Sequence, residues 1–196
     1  MCHRVAGTDR WAPGPARDAV PRGRLVGVIA ALALPSTLPT AAGEVTLRRA
    51  GPGDLPALVR LLSDDVIGRS RGDRADPADL DAYRAGLREA TEDRANDVLV
   101  AVDGTGSVVG MMQLTRIPGL SRRGSTRLQV EAVRVAGSRR SRGIGSAMVG
   151  WVQGVAAPAV GATLVQLTSD AGRADAHAFY ERLGFVGSHR GFKYQV

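Results

Sequence analysis

From residue 44 onwards, hydrophobic residues recur with two different spacings, and each spacing predicts one kind of secondary structure. Leucines within residues 55–62 follow the three- to four-residue spacing of a helix with one apolar face. Residues 98–102 and 108–114 are short apolar runs separated by Asp103-Gly104-Thr105-Gly106, which is typical of two strands joined by a hairpin turn. The predicted elements are strands at residues 45–50, 98–102, 108–114, 128–135, 163–168 and 185–194, and helices opening at Gly53-Asp54 and Asp76-Pro77 and spanning 144–157 and 174–183.

The order of these elements, β-α-α-β-β-β-α-β-α-β, predicts one α/β domain with a mixed sheet covered by helices. A chain of 196 residues with 44% hydrophobic residues can bury a core of that size. The domain is expected to span residues 44–196, because Pro, Ala, Gly and Arg dominate residues 1–43 without any periodicity.

Residues 1–43 leave three interpretations open. Arg22-Gly23-Arg24, the apolar run at 25–34 and the small residues Ala41-Ala42 resemble a secretory signal, although the basic pair lies more than twenty residues into the chain. The apolar run is too short for a transmembrane span. A disordered or misassigned leader is preferred, because residues 45–50 read as a natural first strand. A targeting segment and a packed extra element are the alternatives.

The distribution of charge disfavours a nucleic-acid partner. The net charge is +7, but residues 1–43 hold five Arg against two Asp, and residues 44–196 hold twenty-one basic against seventeen acidic residues. A surplus of four, without aromatic residues beside a basic stripe, favours small anionic ligands instead. The single cysteine, Cys2, excludes an intrachain disulfide and any cysteine-based metal site and fits a reducing compartment, so a cytoplasmic location is expected.

A basic, glycine-containing turn joins a predicted strand to a predicted helix. Its sequence is Arg139-Arg140-Ser141-Arg142-Gly143-Ile144-Gly145, and we call it the basic turn. The first amide N–H groups of a helix are unpaired and lie at the positive end of its dipole, which suits a phosphate. Arginines can neutralise and grip a diphosphate. The turn has neither the lysine of a P-loop nor the G-x-G-x-x-G of a dinucleotide site.

The strand before the basic turn changes the parity of its apolar residues. Leu128 and Val130 share one face, whereas Val133 and Val135 fall on the opposite parity. A single buried face is kept only if one residue is inserted near Glu131-Ala132, as in a β-bulge. The alternative is a strand buried on both faces, for which parity carries no information. A bulge would leave backbone N–H groups that could stabilise an oxyanion beside the basic turn.

Three patterns in this order resemble the GNAT superfamily of acetyl-CoA-dependent N-acetyltransferases. They are Val133-Arg134-Val135, Arg140-x-x-Gly143-x-Gly145 and Phe179-Tyr180-Glu181-Arg182-Leu183-Gly184-Phe185. The resemblance covers roughly residues 45–196. It implies a mixed, mostly antiparallel sheet flanked by about four helices, in which a bulged central strand splays from its neighbour to admit pantetheine. It also implies acetyl-CoA as cosubstrate and no metal.

The resemblance further implies which residues contact the coenzyme. Amides after Arg140 would hold the pyrophosphate, and the splayed strand would lie along the pantetheine. Arg139 and Arg142 would add charge contacts or simply be solvated. Arg173 stands where the superfamily commonly has an asparagine that contacts pantetheine. The implied set is Val133, Arg134, Val135, Arg139, Arg140, Ser141, Arg142, Gly143, Ile144, Gly145, Ser146 and Arg173.

Two residues are candidates for proton transfer. Tyr180 matches the tyrosine that, in this family, lies near the coenzyme sulfur and protonates the departing thiolate; a core tyrosine is the alternative. The ordinary pKa of a phenol, about 10, is close to that of an alkyl thiol. Glu131 is the candidate base, since the attacking amine must lose its proton. Glu131 could equally orient the amine or pair with Arg134.

The acceptor is expected to carry an anionic group. Arg122, Arg123 and Arg127 lie in the predicted connection between two strands, where they would bind such a group or merely aid solubility. His177 has a structural role or a role in substrate binding or proton transfer. The residues Thr168-Ser169-Asp170-x-x-Arg173-x-Asp175-Ala176-His177-x-Phe179-Tyr180 and Ser188-His189-x-x-Phe192 are similar to the aminoalkylphosphonate acetyltransferases. Two histidines without further ligands make no metal site.

These patterns lead to one hypothesis and two alternatives. The hypothesis is an N-acetyltransferase that transfers an acetyl group from acetyl-CoA to the primary amine of a small acceptor by direct attack, with neither nucleic-acid nor membrane partners. One alternative is an acetyltransferase of protein N-termini or lysines. The other is an acyl-CoA-binding sensor without turnover. A homodimer is compatible with such a fold.

Overall fold

The computed structural model describes residues 28–41, 43–70 and 72–196. The strands are β1 (Ser36–Thr40), β2 (Gly43–Arg49), β3 (Asn96–Val102), β4 (Val108–Pro118), β5 (Thr126–Val135) and β6 (Ala162–Leu167). The helices are α1 (Leu55–Ser63), α2 (Val66–Ser70), α3 (Leu80–Glu92), the single turn α4 (Ser121–Gly124), α5 (Ile144–Trp151), α6 (Ala157–Ala159) and α7 (Ala174–Arg182).

These strands form one mixed, mostly antiparallel sheet in the order β1-β2-β3-β4-β5-β6. Neighbours from β1 to β5 are antiparallel, because hairpins or helical excursions return the chain beside the previous strand. The pair β5 and β6 is parallel, and α5 with its continuation forms the crossover that such a pair requires. The predicted α/β class and single domain are confirmed.

The sheet has a hydrophobic core on each face, because alternate residues of a strand point in opposite directions. Leu99 and Met112 are fully buried on the face that α5 covers. Val100 and Met111 are buried on the other face, against Leu58 of α1. The continuous apolar runs of β3 and β4 therefore reflect burial on both sides, which is why those strands do not alternate between apolar and polar residues.

The packed structure begins before the predicted boundary at residue 44. Ile29 and Leu32 are buried in the core on the α5 side, and β1 pairs with β2 along its whole length. For residues 28–40, therefore, the structure shows the packed extra element. Residues 1–27, with the signal-like Arg22-Gly23-Arg24, lie outside the described residues.

One ion pair fastens this N-terminal segment to the sheet. Arg49 Nε donates to Asp97 Oδ2 at 2.7 Å, and Asp97 is only 5% exposed. The guanidinium also donates to the carbonyl oxygens of Ile29, Ala30 and Leu32 at 2.9 to 3.2 Å. The single arginine thus satisfies three backbone acceptors that no strand ladder reaches.

The strand predicted at residues 185–194 does not form. The chain after α7 has no regular secondary structure, and Val186, Phe192 and Tyr194 are 77%, 90% and 91% exposed. Apolar side chains at alternate positions favour a strand only when a neighbouring strand supplies a ladder and a packing surface. In the described structure this segment does not pair with β6, which remains at the edge of the sheet.

Candidate active site

Strand β5 contains the predicted bulge. Gln113 of β4 faces Glu131, but Met111 faces Arg134, so β5 carries one residue more than β4 between these two pairs. Ala132 has a φ of 49°, in the left-handed region that few residues other than glycine adopt. Bulges commonly contain such a residue, because it bends the strand and re-aims the side chains that follow.

The bulge decides which way the end of β5 points. Leu128 and Val130 lie in the core on the α5 side, and Val133 and Val135 pack against the same core. The parity argument from the sequence is therefore confirmed. Arg134, between the last two, projects to the opposite face.

Beyond the bulge, β5 and β6 separate. Their parallel pairing runs from Thr126 opposite Ala162 to Val130 opposite Leu167 and stops there. Residues 131–135 of β5 therefore have no partner strand on that side within the described structure. The resulting wedge exposes a strand edge to which an extended, amide-bearing ligand could hydrogen-bond.

The basic turn opens α5 beside this wedge. Ser141 and Gly143 have φ values of 61° and 82°, the left-handed backbone angles that anion-binding turns often contain. No oxygen in the described part of the chain accepts a hydrogen bond from the amide N–H groups of residues 141–146. Unpaired amides at the start of a helix suit a diphosphate, so the turn fits the anionic middle of coenzyme A.

The three arginines of the turn differ in what they contact. Arg139 donates to Asp103 of the β3–β4 hairpin at 2.8 Å, so most of its charge is already neutralised. Arg140 donates to the carbonyl oxygen of Val135 at 3.2 Å and lies near Asp64. Arg142 is exposed and pairs with no described residue. Of the three, Arg142 is therefore the arginine available for a charge contact with a ligand.

Tyr180 lies on α7, in an aromatic group that covers the end of β5. Its ring makes edge contacts with Phe179 and Phe185, at centroid distances of 5.0 and 5.7 Å. Burial raises the pKa of the Tyr180 phenol, and the nearby charges of Arg134 and Arg173 offset part of that rise. The phenol therefore stays protonated at neutral pH, as a proton donor must.

Glu131 sits in the bulge at the mouth of the wedge. Its side chain is exposed, and its carboxylate makes no hydrogen bond or ion pair with a described residue. The pairing with Arg134 that the sequence left open is not observed, since Arg134 contacts Asp65 instead. A free carboxylate at this position is accessible to an incoming amine.

Arg134, Arg173 and Asp65 form a cluster next to Tyr180, which we call the arginine cluster. Arg173 makes an ion pair with Asp65 Oδ2, and Arg134 Nη2 lies 3.9 Å from the same oxygen. The side chains of Arg134, Arg173 and Asp65 are 18%, 21% and 18% exposed. Burial raises the pKa of Asp65, but the Gly68 amide and Arg173 outweigh it and hold the pKa below its usual value.

Sequence reasoning missed Asp65. Residues 64 and 65 are consecutive aspartates after an amphipathic helix, which ordinarily indicates only a solvated helix end. The partner of Asp65 is Arg173, 108 residues further along the chain. No local pattern in the sequence signals such a pairing.

The arginines proposed for the acceptor lie at the other end of β5. Arg122 and Arg123 are exposed in α4, where both have left-handed backbone angles. Arg127 donates to Gln166 at 3.5 Å and precedes Glu131 by four residues, about 13 Å at the rise of an extended strand. The structure does not bring these three arginines to Tyr180.

His177 holds the turn that precedes α7. Its Nε2 lies 2.9 Å from the carbonyl oxygen of Asp170, which supports the structural role. Among the residues that the structure describes there is no group of three or more His, Cys, Asp or Glu placed to hold a metal ion. None of the described helices combines the length and hydrophobicity needed to cross a membrane.

Comparison with known proteins gives a consistent result. The acetyltransferase (GNAT) family model matches residues 57–185. A solved structure of a transcriptional regulator from Bacillus halodurans C-125 is 41% identical, with a TM-score of 0.73 over 78% of this chain and 99% of that one. A candidate acetyltransferase from Agrobacterium tumefaciens is 27% identical, with a TM-score of 0.62 over 76% and 99%.

An acetyltransferase from Trypanosoma brucei, 24% identical over 78% of this chain and 99% of that one, shares the fold with a TM-score of 0.58. The comparison with curated proteins gives no match. The bulged strand, the wedge beside it and the family match over 57–185 agree: the chain belongs to the GNAT acetyltransferase family and is an acyltransferase.

Proposed function

We propose that the protein transfers an acetyl group from acetyl-CoA to the primary amine of a small acceptor that carries an anionic group. The observation that carries this proposal is the wedge between β5 and β6, which opens next to the unpaired amides of residues 141–146. A narrow cleft lined by strand edge, with an anion site at one end, matches the shape of a diphosphate joined to a long amide-containing arm.

The coenzyme would be held mainly by backbone groups. Amides of residues 141–146 bind the diphosphate, with Arg142 adding charge from the rim. The edge of residues 133–135 would pair with the pantetheine amides, while the side chains of Val133 and Val135 pack against the core and hold that edge in place. This arrangement places the thioester at the bulge.

The reaction requires that the amine nitrogen lose a proton and that the departing thiolate gain one. The amine nitrogen attacks the thioester carbon, and Glu131, directly or through a water, takes the proton that the nitrogen loses. Backbone N–H groups at the bulge stabilise the oxyanion of the tetrahedral intermediate. The carbon–sulfur bond then breaks, and Tyr180 donates its phenolic proton to the thiolate. The products are the amide and coenzyme A.

The Tyr180→Phe variant tests this role. Loss of the acid is expected to lower kcat by about a hundredfold while the affinity for acetyl-CoA measured by calorimetry stays within about twofold of wild type. Thiol release over a panel of amines gives kcat. If wild-type protein binds no acetyl-CoA, the proposal fails at its first step.

A second candidate is an acyl-CoA sensor without turnover. It is favoured by one observation: the relative that is 41% identical is named a transcriptional regulator. A sensor would bind acetyl-CoA but release no thiol with any amine, and Tyr180→Phe would change nothing measurable. Thiol release that depends on an added amine would exclude it.

The acceptor class is narrowed by residue similarity. The segment from Thr168 to Tyr180 is similar to that of aminoalkylphosphonate acetyltransferases, in which the acceptor joins an amine to a phosphonate. An aminophosphonate would combine the amine that attacks the thioester with the anionic group that we propose for the acceptor. A preference for neutral polyamines would contradict this assignment.

A further inference from the structure

Two arginines are held close together beside the reacting centre. Arg134 belongs to β5, and Arg173 is the N-cap residue of α7. Both side chains therefore project from rigid elements. Both guanidinium groups contact Asp65 Oδ2, so the two cations lie close together, and burial and the charge of Arg173 each lower the pKa of Arg134. Like charges kept this close and this poorly hydrated need an anion between them.

The anions that now balance them come from one connecting segment. Asp65 and Asp73 both belong to the chain between α1 and α3. A methyl group at Gly68 would lie 3.4 Å from Asp65 Oδ2 and 3.2 Å from Asp73 Oδ2, so the two carboxylates lie on the same side of this segment. Asp65 contacts both arginines, and Asp73 acts on Arg134 through its charge.

The cluster leaves one strong donor unused. The Nε atom of Arg134 is buried and has no hydrogen-bond partner in the described structure. A buried guanidinium N–H without an acceptor costs free energy, and native structures rarely keep one without a purpose. Asp65 therefore satisfies the cluster only in part, whereas a carboxylate or phosphonate with several oxygens could engage more of its donors.

Resting on the acetyltransferase function proposed above, we propose that Arg134 and Arg173 bind the anionic group of the acceptor, and that the Asp65 carboxylate occupies this position until the acceptor displaces it. The acceptor class is then a primary amine joined by a short linker to a carboxylate or phosphonate. This position suits a short linker, because Arg173 caps the helix that carries Tyr180 and Arg134 follows Glu131 by three residues on β5.

This assignment differs from the one based on Arg122, Arg123 and Arg127. Those three arginines are at the opposite end of β5 from Arg134. Arg127 is about 13 Å from Glu131 by strand rise, and Arg122 and Arg123 precede it in the chain, so a group bound there would be too far from the bulge for a short linker. The arginine cluster instead lies within the same group of side chains as the proposed acid.

The first test compares acceptors of equal length with and without the anion. Initial rates of thiol release are measured with 2-aminoethylphosphonate, β-alanine and n-propylamine. The Arg173→Gln and Arg134→Gln variants are expected to raise KM for the two anionic amines at least tenfold and KM for n-propylamine less than threefold, each measured at saturating acetyl-CoA. An equal rise for all three amines would overturn the proposal.

Two controls accompany this test. Arg84→Gln removes one positive charge from the exposed ion pair with Asp81 on α3 and should leave every KM unchanged. The triple variant Arg122→Gln, Arg123→Gln, Arg127→Gln should retain the preference for anionic amines. A preference that disappears in the triple variant and persists in Arg173→Gln would place the anion site at the other end of β5.

The second test does not depend on turnover. Binding of methylphosphonate is measured by calorimetry without acetyl-CoA. Asp65→Asn removes the competing internal anion and should tighten binding at least threefold, while Arg173→Gln should abolish it. If Asp65→Asn binds no more tightly than wild type, the carboxylate does not compete for the site and the proposal is wrong.

The two tests separate this inference from the proposed function. If no amine releases thiol but methylphosphonate still binds through Arg173, the acetyltransferase function fails and the anion site stands. If amines are acetylated with no preference for an anion, the function stands and the assignment of the arginine cluster fails.

Discussion

The amide N–H of Gly137 donates to Asp64 Oδ2 at 2.9 Å, which ties the end of α1 to the start of the segment that leads into the basic turn. The same carboxylate oxygen lies 3.4 Å from Arg140 Nη2. Asp64 therefore has two effects: it fixes the backbone before the turn, and it places a negative charge beside the proposed diphosphate site.

Asp64→Asn separates these two effects. The amide oxygen can still accept from Gly137, while the negative charge that opposes the coenzyme is lost and Arg140 is released. Because both groups are about half exposed, the gain is about 0.5 kcal/mol, or two- to threefold tighter binding of acetyl-CoA by calorimetry. Weaker binding of this variant would show that the charge on Asp64 is not opposed to the ligand.

Asp64→Ala is the matched comparison, since it removes both the charge and the hydrogen bond to Gly137. The loosened turn is expected to offset the electrostatic gain, so this variant should bind acetyl-CoA more weakly than Asp64→Asn. If the two variants bind equally well, the hydrogen bond contributes nothing to the shape of the turn.

Alanine substitutions at the two glycines of the basic turn are expected to differ in their effects. Gly143 has a φ of 82°, and a methyl group there would lie 3.4 Å from the backbone nitrogen of Ala41. The left-handed conformation costs an alanine about 1–2 kcal/mol, so Gly143→Ala should lower both the free energy of unfolding and the affinity for acetyl-CoA. At Gly145 a methyl group would make ordinary contacts with Phe179 and Val135, and stability should change by less than about 0.5 kcal/mol.

The acid role of Tyr180 predicts a pH dependence. A phenol donates its proton only below its pKa, and burial raises this pKa above the ordinary value of 10.0. The activity of the wild type should therefore not fall between pH 7 and pH 9.5, and any alkaline decline due to this group should lie higher. Profiles of kcat against pH for wild type and Tyr180→Phe would check this, since the variant should lack that decline.

The pair formed by Arg49 and Asp97 predicts an effect on stability. Arg49→Met would leave a buried carboxylate unpaired and release the N-terminal segment, at a cost of about 3 kcal/mol in the free energy of unfolding near pH 7. Burial already raises the pKa of Asp97, so the cost exists above that pKa and diminishes as the pH falls and the carboxyl is protonated.

Urea unfolding at pH 7 and pH 4 measures both values. Arg84→Met breaks the exposed pair with Asp81 and serves as the control, with an expected change of less than about 0.5 kcal/mol at either pH. A cost for Arg49→Met that does not depend on pH would argue that the lost packing, and not the carboxylate, is responsible.

Most of the secondary structure and one unusual local feature could be predicted from the sequence. The bulge at Glu131-Ala132 followed from the parity of four apolar residues, because the core constrains which face each must occupy. The basic turn followed from glycine, arginine and an apolar helix in immediate succession. Both features are encoded within about ten residues of chain, where periodicity and backbone sterics leave few solutions.

The features that sequence spacing could not decide depend on partners distant in the chain. Residues 185–194 have the alternation of a strand, yet in this structure they have no neighbouring strand. Arg139 pairs with Asp103 of the β3–β4 hairpin, and nothing near Arg139 in the sequence indicates that partner. Arg122 and Arg123 lie in α4 before the start of β5, and only the fold sets where that connection lies relative to Tyr180.

The sequence alone determined most of the elements between residues 44 and 183, the bulge and the basic turn, because each arises from spacing within a short segment. Only the tertiary structure decided that Asp65 meets Arg134 and Arg173 beside Tyr180. The physical reason is that a side chain's charge partner is set by how distant segments pack. Hydrophobic burial, which is not directional, brings those segments together, and the resulting packing sets which charged side chains lie close enough to pair.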